Sequence, residues 1–338
     1  MDTLYPLLRG VLFQLPPETA HHVTFQLLKA LPWCPSACLN SESFDHLTKN
    51  VMRLIFPNPL GLSAGLDKNG ELLNVWDKLG FGFIEVGTVT PRPQLGNQKP
   101  RLFRLKKDKA LINRLGFNNL GVDALIPRIS RYEGKAILGI NIGKNKDTPN
   151  ENAVDDYLTC FHKVAPFADY ITLNISSPNT PGLRELQKVD SLNQLLEPLK
   201  TAQAQYQTAD KPLPICVKIA PDVTFEDLDM MVEVFLNHNI EGIIATNTTI
   251  DRNFNLKDSE QNEQGGLSGA PLLNKSNEIL CHLKKKISDR MALIGVGGIM
   301  DSATAKTKLA QGADLLQVYT GLIYRGPGLI KEILRSLS

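Results

Sequence analysis

The segment Tyr170-Ile-Thr-Leu-Asn-Ile-Ser-Ser-Pro-Asn-Thr-Pro-Gly182 carries residue types from which a site can be built. Apolar Ile171, Leu173 and Ile175 alternate with polar Thr172, Asn174 and Ser176, so the run reads as a strand. Asn174 then points away from the aliphatic face. Ser177 and Asn179 follow on the loop leaving the strand's C-terminal end, the edge at which α/β proteins bind ligands and do chemistry. A hydroxyl and two amides there can bind and act on a polar ligand, since an amide donates and accepts at once. Ser, Pro, Asn and Gly are also turn residues, and taken alone the segment reads as a hydrophilic turn. The rest of the chain reverses that reading.

Two further strands repeat the pattern. Ile140 and Ile142 flank Asn141, and Val217 and Ile219 flank Lys218. Each strand sends apolar side chains outward to helices and one polar group toward a barrel axis. A lone interior polar group is costly unless something bonds it, and a buried ammonium more so. Asn141, Asn174 and Lys218 at one mouth therefore read as a polar ring around a ligand, because an anion satisfies lysine better than two neutral amides do. Downstream, Gly295-Val-Gly-Gly298 leaves one strand and leads into a helix that Gly312-Ala-Asp closes; Tyr319-Thr320-Gly321 leaves the next strand. Loops at the last two strands of a barrel commonly hold phosphate with backbone N–H groups at a helix start, and glycine permits the close approach.

Positioning these groups takes a closed set of strands. Runs rich in β-formers fall at Leu60–Ala64, Phe83–Val86, Ala136–Ile142, Tyr170–Ile175, Ile215–Ile219, Gly242–Thr246, Ala292–Gly295 and Asp314–Tyr319. Helical patterns lie between them at Glu71–Leu79, Ala153–Val164, Leu192–Tyr206, Phe225–Leu236, Lys275–Ile287 and Ala303–Leu309. The Thr88–Lys135 interval is less regular and is expected to hold an inserted excursion and a helix near Val122–Tyr132. Such an alternation matches an α/β fold of the (β/α)8 TIM-barrel type, usually about 250 residues long. A doubly wound open sheet usually has fewer strands, and no GxGxxG opens a helix here.

Composition narrows the function. The 338 residues are 42% hydrophobic and 21% charged, with a formal net charge of +2. Basic residues are dispersed, and the short clusters Lys106-Lys107 and Lys284-Lys285-Lys286 read as solvated faces, so nucleic acid is not an expected partner. Cys34, Cys38, Cys160, Cys216 and Cys281 are odd in number and form no CxxC pair, which suits free thiols in a reducing compartment. Cys34 and Cys38 lack a second Cys/His pair, so no zinc site is expected. No apolar run reaches the roughly 18 residues of a spanning helix. Arg9, Gln14, Pro16 and Pro17 interrupt any signal-peptide core.

The first forty residues differ. Leu4, Leu7, Leu8, Val11, Leu12 and Leu15 form a stripe at helical spacing, broken by Pro16-Pro17. A second helix follows with Val23, Leu27, Leu28 and Leu31 on one face, stopped by Pro32. The spacing predicts a helical pair docked on the barrel by its apolar stripe. Membrane-surface helices tend to carry many basic residues, and here Arg9 and Lys29 are the main ones.

Together these segments resemble the dihydroorotate dehydrogenases, in their quinone-dependent class 2 branch, through essentially the whole chain. The carriers are Ala64-Gly-Leu-Asp-Lys68-Asn-Gly, Gly87-Thr88-Val-Thr-Pro, Ile112-Asn113-Arg-Leu-Gly-Phe-Asn-Asn, Asn174-Ile-Ser-Ser-Pro-Asn179-Thr-Pro-Gly, Val217-Lys218-Ile-Ala-Pro-Asp, Thr246-Asn247-Thr248 and Gly295-Val-Gly-Gly298. The resemblance implies an FMN cofactor whose phosphate occupies the glycine cradle. It assigns FMN binding to Ala64, Gly65, Leu66, Asp67, Lys68, Thr88 and Asn141, and further to Asn174, Lys218, Thr246, Gly269, Gly298, Tyr319 and Thr320. It assigns substrate to Lys68, to the run Asn113, Arg114, Leu115, Gly116 and Phe117, and to Asn174, Asn179, Asn247 and Thr248.

The implied reaction oxidises dihydroorotate to orotate in de novo pyrimidine biosynthesis. Ser177 would remove the C5 proton while hydride leaves C6 for flavin N5. An alcohol is a poor base unless its surroundings stabilise the proton or charge it takes on, and the motif holds no histidine partner. Lys68 can meet the substrate carboxylate, while the amides of Asn113, Asn179 and Asn247 suit the ring N–H and C=O groups. Lys218 would offset negative charge on reduced flavin. Serine at 177, not cysteine, together with the helical pair, points to the branch that passes electrons to a membrane quinone. Residues 1–40 would then be a quinone- and membrane-facing helical pair, and 41–338 the FMN-binding barrel. The pair would form an apolar mouth for the quinone tail and make peripheral contact with the cytoplasmic face of the inner membrane. Ser63 stands where the family often carries alanine and is expected only to adjust packing.

Two other readings stay open. One is an FMN barrel acting on pyrimidine bases in RNA, which needs a basic face that a nearly balanced chain argues against. The other is a non-enzymatic barrel whose N-terminal helices recruit a partner.

Overall fold

The computed structural model describes residues 4–30 and 44–338. Cys34, Cys38, Leu31, Pro32 and the expected boundary near residue 40 lie outside the described residues. Helices α1 (Leu4–Leu12) and α2 (Pro17–Ala30) come first, then an antiparallel hairpin of β1 (Lys49–Val51) and β2 (Leu54–Phe56). Strands β3 (Leu60–Leu62) and β4 (Phe83–Val89) begin the barrel, and β5 (Leu102–Leu105) and β6 (Ala110–Asn113) leave it as an excursion. Strands β7 (Ile137–Ile142), β8 (Tyr170–Asn174), β9 (Ile215–Ile219) and β10 (Gly242–Ala245) follow. After β11 (Gly266–Gly269), β12 (Ala292–Val296) and β13 (Leu315–Val318) complete the set. Strands β3, β4, β7, β8, β9, β10, β12 and β13 close into one parallel barrel, which is the expected TIM-barrel architecture.

Closure depends on glycine facing aromatic rings inside the barrel. A Cβ on Gly139 of β7 would lie 2.0 Å from Tyr170 Cζ, and one on Gly61 of β3 would lie 2.4 Å from the Phe83 ring. The absent side chains leave room for Phe83 and Tyr170, which join Leu54, Phe56, Cys216, Ile244, Ile294 and Leu315 in an apolar floor. The hairpin thus plugs one end of the barrel. The outward side chains of the same strands form a second, larger core with the surrounding helices, including Leu173, Val217, Leu196, Phe235 and Leu283.

The helical patterns between the strands occur, with shifted ends. The helix expected to reach Tyr132 stops at Ile129, and the one expected from Glu71 runs over Leu73–Lys78. Asp67 accounts for the later start, because its carboxylate accepts from Glu71 N and Leu72 N, both at 2.8 Å. Elements not read from the sequence are the hairpin, the antiparallel sheet β11-β6-β5 and two final helices, Thr320–Arg325 and Gly328–Leu337.

The N-terminal pair docks through its apolar stripe only in part: Leu28 packs against the core, and much of the stripe faces outward. Leu7 and Val11 are 71% and 69% exposed, and Leu8 and Leu27 are exposed too. Other contacts come from the opposite face. Tyr5 Oη donates to Ile323 O at 2.6 Å and Arg9 Nη1 to Tyr324 O at 2.6 Å. Glu18 pairs with Arg101, Lys29 with Glu71, and buried Phe25 meets Trp76 at 6.0 Å between centroids. Polar anchors, aromatic rings, Ala20 and Leu28 fix the pair and leave Leu7, Leu8, Val11 and Leu27 outward.

Candidate active site

At the mouth opposite the floor lies a cavity enclosing about 970 Å³ of non-protein space, part of it open to solvent. Its wall is assembled from strand ends and from the excursion. Ala64, Gly65 and Lys68 follow β3, Thr88 ends β4, and Asn174, Ser177 and Asn179 follow one another out of β8. Lys218 comes from β9, Thr246, Asn247 and Thr248 from beyond β10, and Gly298, Tyr319 and Thr320 from beyond β12 and β13. The excursion brings Asn113, Leu115, Gly116 and Phe117 over this mouth, and β11 brings Gly269. Lys68 and Lys218 are the charged residues among the lining, which holds no carboxylate and no histidine. Such a wall attracts anions.

Four of the expected residues do not line this cavity. Leu66 is buried in the outer core, and Asp67 is committed to backbone N–H groups and to Trp76 Nε1 at 3.0 Å. Arg114 turns away to Glu263 at 2.7 Å and lies over the Phe103 ring. Asn141 sits one layer down, its Nδ2 donating to Glu85 Oε1 at 2.8 Å.

Glu85 explains that layer. This fully buried carboxylate accepts from Asn141 and also from Gln317 Nε2 at 2.7 Å, Tyr170 Oη at 3.0 Å and Thr172 Oγ1 at 3.3 Å. The network reaches the cavity through Asn141: Thr88 Oγ1 donates to Asn141 Oδ1, and Asn174 Nδ2 donates to Thr88 Oγ1 at 2.8 Å. Lys218 feels the same carboxylate. Burial lowers the pKa of its ammonium and the Glu85 charge opposes that shift. The Glu85 charge thus adds to the external anion expected for Lys218 and does not replace it. The expectation for Ser63 needs correcting: its Oγ accepts from Lys218 Nζ at 3.2 Å, so it does more than adjust packing.

The amides interlock. Asn247 Nδ2 donates to Ser176 Oγ at 3.0 Å and Asn174 Oδ1 at 3.3 Å, and Asn179 Nδ2 donates to Asn113 Oδ1 at 3.1 Å. Ser177 is buried, and its Oγ accepts from Asn179 N at 3.3 Å. Thr180 Oγ1 on the same loop is buried without a partner among the described residues. Lys68 Nζ donates to Gly65 O at 2.9 Å; burial, and then the nearby Arg101 charge, pull its pKa down to about 8.

The glycine cradle forms in part as expected. Gly297 and Gly298 take φ of +108° and +79°, a backbone region that favours glycine. Both line the cavity with Thr320 and Gly321, whereas Gly312 does not. The helix Ser302–Ala310 that follows is not an open anion site, because Asp301 caps it, accepting from Thr304 N at 2.8 Å. The glycine turn itself, with Thr320 and Gly321 beside it, remains open to the cavity.

Glu85 and Gln317 went unread in the sequence, although the parity used for Asn141 would have found both. Ile84 and Val86 flank Glu85, and Leu316 and Val318 flank Gln317. Buried Gln317 Oε1 and Thr248 Oγ1, both on lining residues, have no partner among the described residues. Unpaired acceptors, paired cations and a glycine turn fit a flat, hydrogen-bonding ligand that carries an anion.

Comparison with known proteins agrees with this geometry. Residues 46–338 match the family model for dihydroorotate dehydrogenase. The chain is 52% identical over 330 residues to dihydroorotate dehydrogenase (quinone) of Yersinia enterocolitica, covering 97% of this chain and 98% of that protein. The Yersinia pseudotuberculosis protein of the same name is 51% identical with the same coverage. A crystal structure of DHODH in complex with ferulenol from Eimeria tenella superposes with a TM-score of 0.86 at 39% identity, covering 97% of this chain and 93% of that one. With the barrel, its amide-lined mouth and its docked helical pair in place, the chain belongs to the dihydroorotate dehydrogenase family, in the quinone-dependent class 2 branch.

Proposed function

We propose that this protein oxidises dihydroorotate to orotate in pyrimidine biosynthesis, with FMN in the barrel mouth and a membrane quinone as final acceptor. The observation that carries the reading is the pairing of Lys68 and Lys218 with interlocked amides and a buried serine around one cavity. When bound, FMN would take hydride from the substrate and pass two electrons onward. Its fit rests on the glycine turn at 297–298, on Lys218 and on the unpaired Gln317 amide oxygen.

Each protein group then has a task. Lys68 holds the substrate carboxylate, and Asn113, Asn179 and Asn247 fix the ring so that one C5 proton faces Ser177. Ser177 takes that proton, and Thr180 Oγ1 is an unpaired hydroxyl on the same loop to relay it. Asn174, locked by Thr88 and Asn247, spans cofactor and substrate. The residues assigned above to FMN and substrate act in these roles, with Leu66, Asp67 and Asn141 supporting the wall from behind and Arg114 holding the excursion.

The second half-reaction falls to the helical pair. Phe13, between α1 and α2, packs edge-on against Tyr324 at 5.3 Å, and the Arg104 guanidinium lies 4.2 Å from the Phe13 ring centroid. Met300 and Tyr319, which line the cavity, belong to the same apolar cluster. A continuous apolar seam therefore leads from the pair to the cofactor site, as a quinone tail requires. The outward Leu7, Leu8 and Val11 suit contact with lipid, and no helix among the described residues is long and apolar enough to cross a membrane. We take residues 1–40 as the quinone- and membrane-facing unit, resting peripherally on the cytoplasmic face of the inner membrane.

Ser177→Ala should slow flavin bleaching by dihydroorotate about 10²–10⁴-fold in stopped flow while leaving bound FMN and orotate affinity in place. Retained bleaching would remove the base assignment. The KM for dihydroorotate should rise as pH passes about 8, because the Lys68 ammonium is lost there. The rise should approach tenfold per pH unit and vanish in Lys68→Gln; a flat profile to pH 9.5 counts against the carboxylate contact. Leu7→Glu combined with Val11→Glu should weaken sedimentation with phospholipid vesicles by about tenfold or more, each side chain losing apolar burial. Reoxidation by a short water-soluble quinone should stay within about twofold. Equal vesicle binding would refute the lipid contact.

A further inference from the structure

Behind the Gly297–Gly298 turn lies a cation that the chemistry above does not use. Lys308 of helix Ser302–Ala310 is fully buried, and its stem packs where a Cβ on Gly295 would come within 2.8 Å of Lys308 Cγ. Its Nζ donates to Ser276 Oγ at 2.8 Å and to Asn277 Oδ1 at 2.7 Å. The single proton of Ser276 Oγ is shared between Leu273 O at 2.9 Å and Gly297 O at 3.1 Å. Ammonium, hydroxyl and cavity turn therefore form one chain.

Both partners of the ammonium are neutral. No carboxylate pairs with it among the described residues, and burial alone pulls its pKa down to about 7. A buried cation without a counter-charge is costly, and an anion nearby would favour the protonated amine over the neutral one. Lys218 differs, because the Glu85 charge partly opposes the lowering that burial imposes on it. Among the described residues, Lys308 has the neutral partners Ser276 and Asn277 and no carboxylate. The turn it holds through Ser276 lines the cavity, so an anion seated on that turn supplies the missing charge.

We propose that Lys308 is a positioning residue for the cofactor phosphate: through Ser276 it braces the Gly297–Gly298 turn, and its charge makes the pocket select a phosphorylated flavin over the dephosphorylated one. The proposal rests on the FMN reading given above. It concerns the choice between FMN and riboflavin, two ligands that share the whole ring system and differ in one phosphate.

The test uses apoprotein of the full chain, titrated with FMN and with riboflavin by quenching of flavin fluorescence at fixed ionic strength. Lys308→Met should weaken FMN by about tenfold or more and change riboflavin by less than about twofold, collapsing the ratio of the two constants. Ser276→Ala, which cuts the link to the turn, should weaken FMN selectively as well, and it carries the test if Lys308→Met does not fold. Equal weakening of both flavins would reduce Lys308 to a packing role and overturn the proposal, as would an unchanged ratio in both variants. Failure of the unaltered apoprotein to take up FMN would be a different result: it would overturn the cofactor reading itself.

Discussion

A carboxylate that cannot leave the barrel axis organises this protein. Glu85 is fully buried, and a buried charge is tolerated only when hydrogen bonds and a counter-charge surround it. Four donors from β7, β8 and β13 converge on it, and the Lys218 ammonium of β9 feels its field. These groups span neighbouring layers: Tyr170 reaches up from the floor, and Lys218 stands level with Asn174. The strand register that brings them together also sets Asn174 and Thr88 at the cavity wall. Replacing Glu85 alone would leave Lys218 unanswered and several donors unpaired, so its cost would spread to the ligand site.

The interior is therefore layered by chemistry. Aromatic and aliphatic side chains fill the floor, where Gly61 and Gly139 leave room for Phe83 and Tyr170. The middle layer is a hydrogen-bonded network around one anion. Above it lies a mouth with two cations and no carboxylate of its own, ready for ligands that bring negative charge. The helical pair packs against the side of this mouth through Phe13 and Tyr324. Its anchoring face is largely polar and aromatic, while Leu7, Leu8, Val11 and Leu27 are left outward, so the proposed lipid contact would use residues other than the anchors.

Much of this was legible in the sequence because a parallel barrel repeats one rule. β-rich runs alternating with helical ones located the eight strands, and parity put Asn174 and Lys218 on the inside. The same rule, applied to Ile84-Glu85-Val86 and Leu316-Gln317-Val318, would have exposed the central network, but a charged residue within an apolar run was passed over. Asn141 shows the limit of parity, which gives the face of a strand and not the height along the axis. Other features were hidden for a different reason. Sheet β11-β6-β5 pairs Gly266 with Asn113, residues separated by a long stretch of chain, and local pattern carries no trace of such a pairing. The stripe on α1 was read as the docking face because exposed aliphatic residues are rare on a protein that meets only water. The polar anchors Tyr5, Arg9 and Glu18 become visible as anchors only when their distant partners are known.

The central claim is that Lys218, held between the Glu85 network and the cavity, makes this mouth favour the reduced, more negative state of a bound flavin. The direct measurement is the two-electron midpoint potential of bound FMN in the unaltered protein and in Lys218→Met, by equilibration with a dye of known potential at pH 7. Loss of the ammonium should move the potential to more negative values, by about 30 mV for each tenfold loss of preference for the reduced form. A potential that stays fixed or moves to more positive values would contradict the account.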